Sequence, residues 1–215
     1  MDYTVEYYEK DDGSSPAEEF ILSQDNKMQA KIFAALELLE SKGPALREPY
    51  SKVLDDGIFE VRAKQGSDIS RVLYFFVVGR RVILTNGFVK KTMKTPPREI
   101  ERAKRYRADF NQKKEAGFMG KNFRETLNER MQDPAFRTEW DAQEPERQIM
   151  RAIVEGREES GMTQKQLSDI TGITQADISR LESGTANPSL RTLKRLAAGM
   201  GMALKLEFVP TQTQI

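Results

Sequence analysis

The sequence predicts two folded parts: an α+β domain in the order β-α-α-β-β-β-α, then a mainly α-helical domain that ends in a strand. Three observations carry this expectation. Residues 58 to 64, 70 to 78 and 82 to 89 are rich in β-branched and aromatic side chains, with Gly66-Ser67-Asp68 and Gly79-Arg80 as turns between them. Residues 163 to 200 instead repeat capping residues and apolar positions at helical spacing. The pattern changes near residue 118, and 215 residues with 38% hydrophobic content can bury two small cores.

In chain order, residues 3 to 8 read as a strand rich in Tyr and Val. Ser15-Pro16-Ala17-Glu18 then offers an N-cap, a proline in the first helical turn and a capping-box glutamate. Met28, Ile32, Leu36 and Leu39 recur at helical spacing until Gly43-Pro44 stops the second helix. The three strands that follow predict an antiparallel meander. Pro96-Pro97 opens a helix bearing Ile100, Ala103, Tyr106 and Phe110, with Lys and Arg on its outer face, and the first domain closes at residue 118. Met119-Gly120 reads either as an internal methionine or as the start of a second reading frame joined to the first. From there to residue 146 runs a connecting segment whose Phe123, Leu127, Met131, Phe136 and Trp140 form an interrupted apolar stripe, which needs another surface to bury it. The second domain then spans 147 to 215, and residues 202 to 209 alternate as a strand able to pair with a second copy or with the first domain.

Charge is divided unevenly along the chain. Residues 1 to 60 hold 6 Lys/Arg against 14 Asp/Glu, residues 61 to 118 hold 15 against 5, and residues 119 to 215 hold 13 against 14. A stretch at +10 within a chain at +1 implies a local polyanion site beside acidic surface. Arg62 and Arg71 on adjacent strands, with Lys90 and Lys91 ending the third, can hold a phosphodiester. The absence of Cys and His removes thiolate metal sites and the commonest metal ligand and general base, so no metal or cofactor is expected. With no apolar run of membrane-spanning length and no leader pattern, a cytoplasmic protein without membrane contact is the expectation.

Residues 163 to 200 carry the most specific pattern. Thr163-Gln164-Lys165-Gln166 starts a helix with its own capping box, Leu167 and Ile170 are expected to face inward, and Gly172 permits a sharp turn. Thr174 caps the next helix, where Ile178 and Leu181 are core while Gln175, Ala176, Ser179 and Arg180 point outward. That is helix-turn-helix geometry, with a second helix presented to the major groove. Gln suits adenine, Arg suits guanine, and Ala fits a thymine methyl. Asn187 in the following loop and Thr192 in the helix begun by Ser189 are placed to meet phosphates. The Thr-Gln-x-x-Leu, Gly-Ile-Thr-Gln-x-x-Ile-Ser-x-Leu-Glu-x-Gly and Asn-Pro-Ser pattern closely resembles the lambda-repressor-like (Xre) helix-turn-helix family. The resemblance implies operator binding by a homodimer or higher oligomer.

The stretch from Phe59 through Arg71-Val72-Leu73-Tyr74-Phe75-Phe76 to Gly87-Phe88-Val89-Lys90-Lys91 resembles the HigB branch of the RelE-like toxins, ribosome-dependent mRNA interferases. HigB toxins pair with HigA antitoxins of the helix-turn-helix class, usually encoded toxin first, and this chain has both parts in that order. The resemblance implies a RelE-like fold for residues 1 to 118. It also implies cleavage of mRNA on the ribosome by a site drawn from Glu60, Arg62, Arg71, Lys90 and Lys91. RelE-like proteins tend to place a lysine where Glu60 stands, so Glu60 is either a base or a partner that orients Arg62. Residues 119 to 146 are expected to neutralise the toxin by covering its basic face, in cis or exchanged between copies, since 123 to 146 holds 3 basic against 7 acidic residues. The alternative is a transcriptional regulator whose first domain is catalytically inactive and serves as a sensor or oligomerisation module.

Overall fold

A computed structural model describes residues 3–90, 94–114 and 120–208. Lys91, Met119 and Val209 lie outside them. The chain divides into two compact units, Met1–Arg147 and Gln148–Ile215, each with its own core.

The first unit is built on a five-stranded sheet. Its strands are β1 (Thr4–Tyr7), β2 (Ser51–Val53), β3 (Phe59–Gln65), β4 (Asp68–Val77) and β5 (Arg81–Val89), in spatial order β1-β5-β4-β3-β2. The meander β3-β4-β5 is antiparallel, with Arg62 opposite Arg71 and Arg71 opposite Phe88. Two features go beyond the predicted order. A short strand, β2, adds to the edge at β3, and β1 pairs parallel with β5, which two intervening helices make possible. Those helices are α1 (Pro16–Leu22) and α2 (Asn26–Lys42). They cover one sheet face: Phe20 of α1 lies where a side chain at Gly87 would stand, so only glycine fits there. The opposite face is covered in part by α3 (Pro97–Lys114), where Tyr8, Ile58, Leu73, Phe75, Ile83, Ala103 and Phe110 form a buried cluster.

The connecting segment belongs to this first unit. It forms α4 (Phe123–Arg130) and α5 (Pro134–Ala142), each started by a side-chain cap, Asn122 and Asp133. Phe123, Leu127 and Phe136 are buried, while Met131 and Trp140 are half-buried. Their partner surface corrects the expectation from net charge. α5 packs on α2, with Phe136 edge-on to Phe33, and Asn122 bridges to Glu6 of β1. Here the segment supplies the cations: Arg124 meets Glu37 and Glu40, Lys121 meets Glu18 at 2.8 Å, and Arg130 donates to Gln29 and Asn26. The acidic residues lie on α1 and α2, so the segment adds a layer on their side of the sheet and does not lie on the Arg62–Arg71 face. This docking also undoes the predicted capping box at Ser15. Ser15 stands at the N-cap without a side-chain cap bond, and the Glu18 carboxylate that the box would use turns instead to Lys121 and accepts from Thr126 at 2.6 Å.

The second unit is helical. The end of α6 (Glu144–Glu159) contributes Ile153 to a core shared with α7 (Gln164–Thr171), α8 (Gln175–Glu182) and α9 (Leu190–Gly199), through Leu167, Ile178, Leu181 and Leu196. Ile170 is 58% exposed, contrary to its expected inward position, because Leu167 and Ile173 already fill that side of the turn. No strand forms within residues 202–208. Their alternating pattern lacks a neighbouring strand to pair with inside this unit, and a lone strand has no ladder to stabilise it. Among the described residues no helix is long and apolar enough to cross a membrane.

Candidate nucleic-acid interfaces

In the first unit the strand register brings three predicted site residues into one network. Glu60 and Arg62 lie two apart on β3, on the face that β4 completes with Arg71. The Glu60 carboxylate is fully buried and accepts from Arg62 Nε at 2.7 Å, Arg71 Nη1 at 2.7 Å and Thr95 Oγ1 at 2.6 Å. Arg71 also donates to Thr95. Both carboxylate oxygens are thus occupied by donors that fix the two guanidinium groups side by side. Burial pulls the Arg71 guanidinium below its usual range, and Glu60 opposes that pull. Arg71 Nε is buried and has no hydrogen-bond partner among the described residues. A buried donor left unpaired carries a desolvation cost that an oxyanion would remove.

Lys90 follows Phe88 by two residues at the end of β5, on the face of Arg71. Partial burial, then the positive charges of Arg71 and Arg62, hold its ammonium below the ordinary lysine range. The network opens into a cleft of about 290 Å³ lined by Lys52, Leu54, Glu60, Arg62, Arg71, Lys94, Thr95 and Ile100. Lys52 and Thr95 were not among the predicted residues. Lys52 stands opposite Glu60 on β2, a three-residue strand too short to announce itself, and Thr95 precedes α3 in a segment with no periodic pattern.

Elsewhere on the unit, Lys104 pairs with Asp55 and Glu101, and Arg107 engages Asp56. Those ion pairs tie the basic helix face to the loop before β3.

In the second unit four of the residues predicted to read DNA lie on α8. Gln175, Ala176 and Arg180 are exposed and Ser179 is half-buried, while Ile178 and Leu181 anchor the opposite side. Local sequence accounts for the geometry. Thr163 and Gln166 form a reciprocal capping box, Gly172 takes the left-handed conformation at φ 65°, and the Thr174 hydroxyl accepts from the Asp177 amide at 3.1 Å. Arg180 rests on Asp177 within the same helix. Asn187 is exposed in the loop before α9, and the Thr192 amide caps onto Ser189 Oγ. Together with Thr174 and Arg180 they border a cleft of about 520 Å³ at the base of α8. Gln164, predicted at the DNA interface, starts α7. Its amide nitrogen donates to Glu182 at 2.8 Å, a fully buried carboxylate that also forms a two-point ion pair with Arg157.

Residues 19–108 match the family described as phage derived protein Gp49-like, and residues 153–205 match the helix-turn-helix family. The chain carries a toxin-like Gp49 domain followed by a DNA-binding helix-turn-helix domain. An uncharacterized HTH-type transcriptional regulator of Haemophilus influenzae (strain ATCC 51907 / DSM 11121 / KW20 / Rd) is 36% identical over 58 residues, which is 27% of this chain. The chain spans 59% of that relative's length. The Gp49-like match contains the whole Glu60–Arg62–Arg71–Thr95 network, and the helix-turn-helix match contains α7 to α9.

Proposed function

We propose that this chain is a type II toxin–antitoxin module on one polypeptide. Its HigB-like Gp49 domain, with the RelE-like fold, cleaves mRNA on the ribosome, and its HigA-like helix-turn-helix domain binds operator DNA and represses its own transcription. The observation that carries the reading is the clamp at Glu60. A buried carboxylate that holds two arginines, one with an unused donor, prepares a site for a phosphate that gains negative charge during reaction.

The chemistry is attack of an RNA 2′-hydroxyl on the adjacent phosphate. Lys90, whose ammonium is disfavoured by partial burial and then by Arg71 and Arg62, accepts the 2′-hydroxyl proton. Arg62 and Arg71 stabilise the phosphorane, and the Lys52 ammonium supplies a proton to the departing 5′-oxygen. Glu60 is a positioning residue rather than the base, since both its oxygens already accept hydrogen bonds. Lys91 follows Lys90 and takes no part in this scheme.

Restraint of the toxin involves Phe123, Leu127, Met131, Phe136 and Trp140 as anchors, not as a cover. They hold α4 and α5 on the α1–α2 side and leave the cations open within the first unit. In the intact chain the second unit restrains the first, so its removal should release activity. Expression of residues 1–147 should arrest growth and cut translated mRNA, and Arg71→Ala should abolish both. If residues 1–147 leave growth and mRNA untouched while the full chain represses from its operator, the first domain is a non-catalytic module of a regulator.

A further inference from the structure

The sheet face that carries the clamp extends past it. Along β3, Ile58, Glu60, Arg62 and Lys64 share that face, since Val61 and Ala63 alternate with them and are buried on the other. The buried cluster under α3 takes up Ile58, Leu73, Phe75 and Ile83. Beyond it the strand register lays out two cross-strand rows. The first is Arg62, Arg71 and Phe88; the second is Lys64, Ile69 and Lys90, where the Lys90 amide donates to the Ile69 carbonyl at 2.7 Å. The second row is thus a pair of cations around a half-buried aliphatic side chain. Lys64 is exposed and forms no ion pair among the described residues, whereas the α3 cations Arg102, Lys104 and Lys113 are each engaged by a carboxylate. Two residues of strand advance about 6.6 Å, close to the stride of one nucleotide in an extended single strand, so Lys64 stands one phosphate away from the Arg62–Arg71 row.

On the phosphodiester reading of the clamp, on which this inference rests, the rows also have a polarity. The nucleotide whose 2′-hydroxyl attacks lies on the Lys90 side of the scissile phosphate. The departing 5′-oxygen lies on the side of Lys52, which stands opposite Glu60. The 5′-phosphate of the attacking nucleotide therefore continues away from Lys52, toward the turn at Gly66 that joins β3 to β4.

We propose that Lys64 binds this 5′-phosphate, and that Ile69 carries the ribose and base between it and the clamp. The row is a second RNA subsite, one nucleotide upstream of the cut, and it sets the direction of the strand: 5′ to 3′ from the β3–β4 turn toward β2. The Ile69 side chain has no hydrogen-bonding group, so it supports a base by contact with its flat face and reads none of its edges.

The test uses the full chain at low salt, titrated with dinucleotides that lack the attacking 2′-hydroxyl and so cannot be cut. One form has a hydroxyl at both ends, one a 5′-phosphate and one a 3′-phosphate, and binding is followed by NMR on the amides of β3 and β4, which report this site rather than the second unit. Wild type should bind the 5′-phosphorylated form about threefold or more tightly than the unphosphorylated one, the scale of an exposed charge contact. Lys64→Ala should abolish that preference and Lys64→Arg should keep it, while the ratio of the 3′-phosphorylated to the unphosphorylated form stays the same in both. The salt slope for the 5′-phosphorylated form should fall by about 0.7 in Lys64→Ala, as expected for the loss of a phosphate contact to a single strand. A lysine that only guards a sheet edge against pairing would move none of these. A 5′-phosphate preference that is missing in wild type or survives Lys64→Ala would overturn the subsite, and a 3′-phosphate preference that Lys64→Ala removes would overturn its polarity. Arg71→Ala separates this inference from the reading beneath it. If Arg71→Ala leaves binding of the unphosphorylated dinucleotide unchanged, or if wild type does not bind it, the clamp is not a phosphodiester site and the subsite falls with it; if Arg71→Ala weakens binding but Lys64→Ala has no effect, only the subsite falls.

Discussion

Phe136→Ala is the sharpest test of how the connecting segment is held. Phe136 is fully buried, meets Phe33 edge-on with ring centroids 6.0 Å apart, and receives the Arg130 guanidinium 5.1 Å from its centroid. Truncating a fully buried phenylalanine costs about 3–5 kcal/mol, of which roughly 0.5–1.5 belongs to the aromatic pair. A domain's whole stability is about 5–15 kcal/mol, so α5 should loosen well before the sheet does. The assay is built into the chain: its only tryptophan, Trp140, lies tilted to Phe136 with ring centroids 6.0 Å apart, and its ring centroid is 4.0 Å from the Arg147 guanidinium. Trp140 fluorescence in urea should show an unfolding midpoint lowered by roughly 1–5 M, taking a slope of about 1–3 kcal/mol per molar. Arg137→Ala, on the exposed side of α5, should move it by under about 0.5 kcal/mol. A loss below about 1 kcal/mol for Phe136→Ala would refute the packing of α5 on α2.

Three further outcomes follow from the two interfaces. Arg180→Ala should weaken operator binding by roughly 1–3 kcal/mol and relax preference at one base pair, whereas an equal loss on random DNA would mean that it touches only phosphate. Releasing Arg180 from Asp177 costs little, because that pair is exposed. Glu182→Gln leaves Arg157 without its buried counter-charge and should lower the stability of the helix-turn-helix unit by about 3 kcal/mol in calorimetry; a change under about 1 kcal/mol would make the pair dispensable. RNA cleavage should rise with pH as Lys90 loses its proton, and should level off below the ordinary lysine value of about 10.4. Glu60 is the negative charge that favours the Lys90 ammonium, so Glu60→Gln should shift the rising limb to lower pH; an unmoved limb would remove Lys90 from the role of base.

The helix-turn-helix geometry was legible because it is local. Thr163, Thr174 and Ser189 each cap the helix that directly follows, and Gly172 sits where the turn needs positive φ. The meander was legible for the same reason, since short turns fix its register. The clamp was legible only in part: Glu60, Arg62 and Arg71 come from adjacent strands, but Thr95 arrives 35 residues after Glu60 along the chain. Charge totals misled on the connecting segment. Its net of −4 hid Arg124 and Arg130, whose partners are the acidic and amide residues of α2. Sums over a segment do not say which side chains a docked helix turns inward. The terminal strand failed within one chain because alternation specifies a face, not a partner.

The end chemistry of RNA cut by residues 1–147 on translating ribosomes decides whether the clamp is a phosphodiester site. Attack by the 2′-hydroxyl leaves a 2′,3′-cyclic phosphate and a 5′-hydroxyl, and it stops when the nucleotide at the cut lacks its 2′-hydroxyl or when Arg71→Ala removes the clamped cation. Cleavage that persists in Arg71→Ala, cleavage indifferent to the 2′-hydroxyl, or no cleavage at all would contradict the assignment of the Glu60–Arg62–Arg71 clamp as a phosphodiester site.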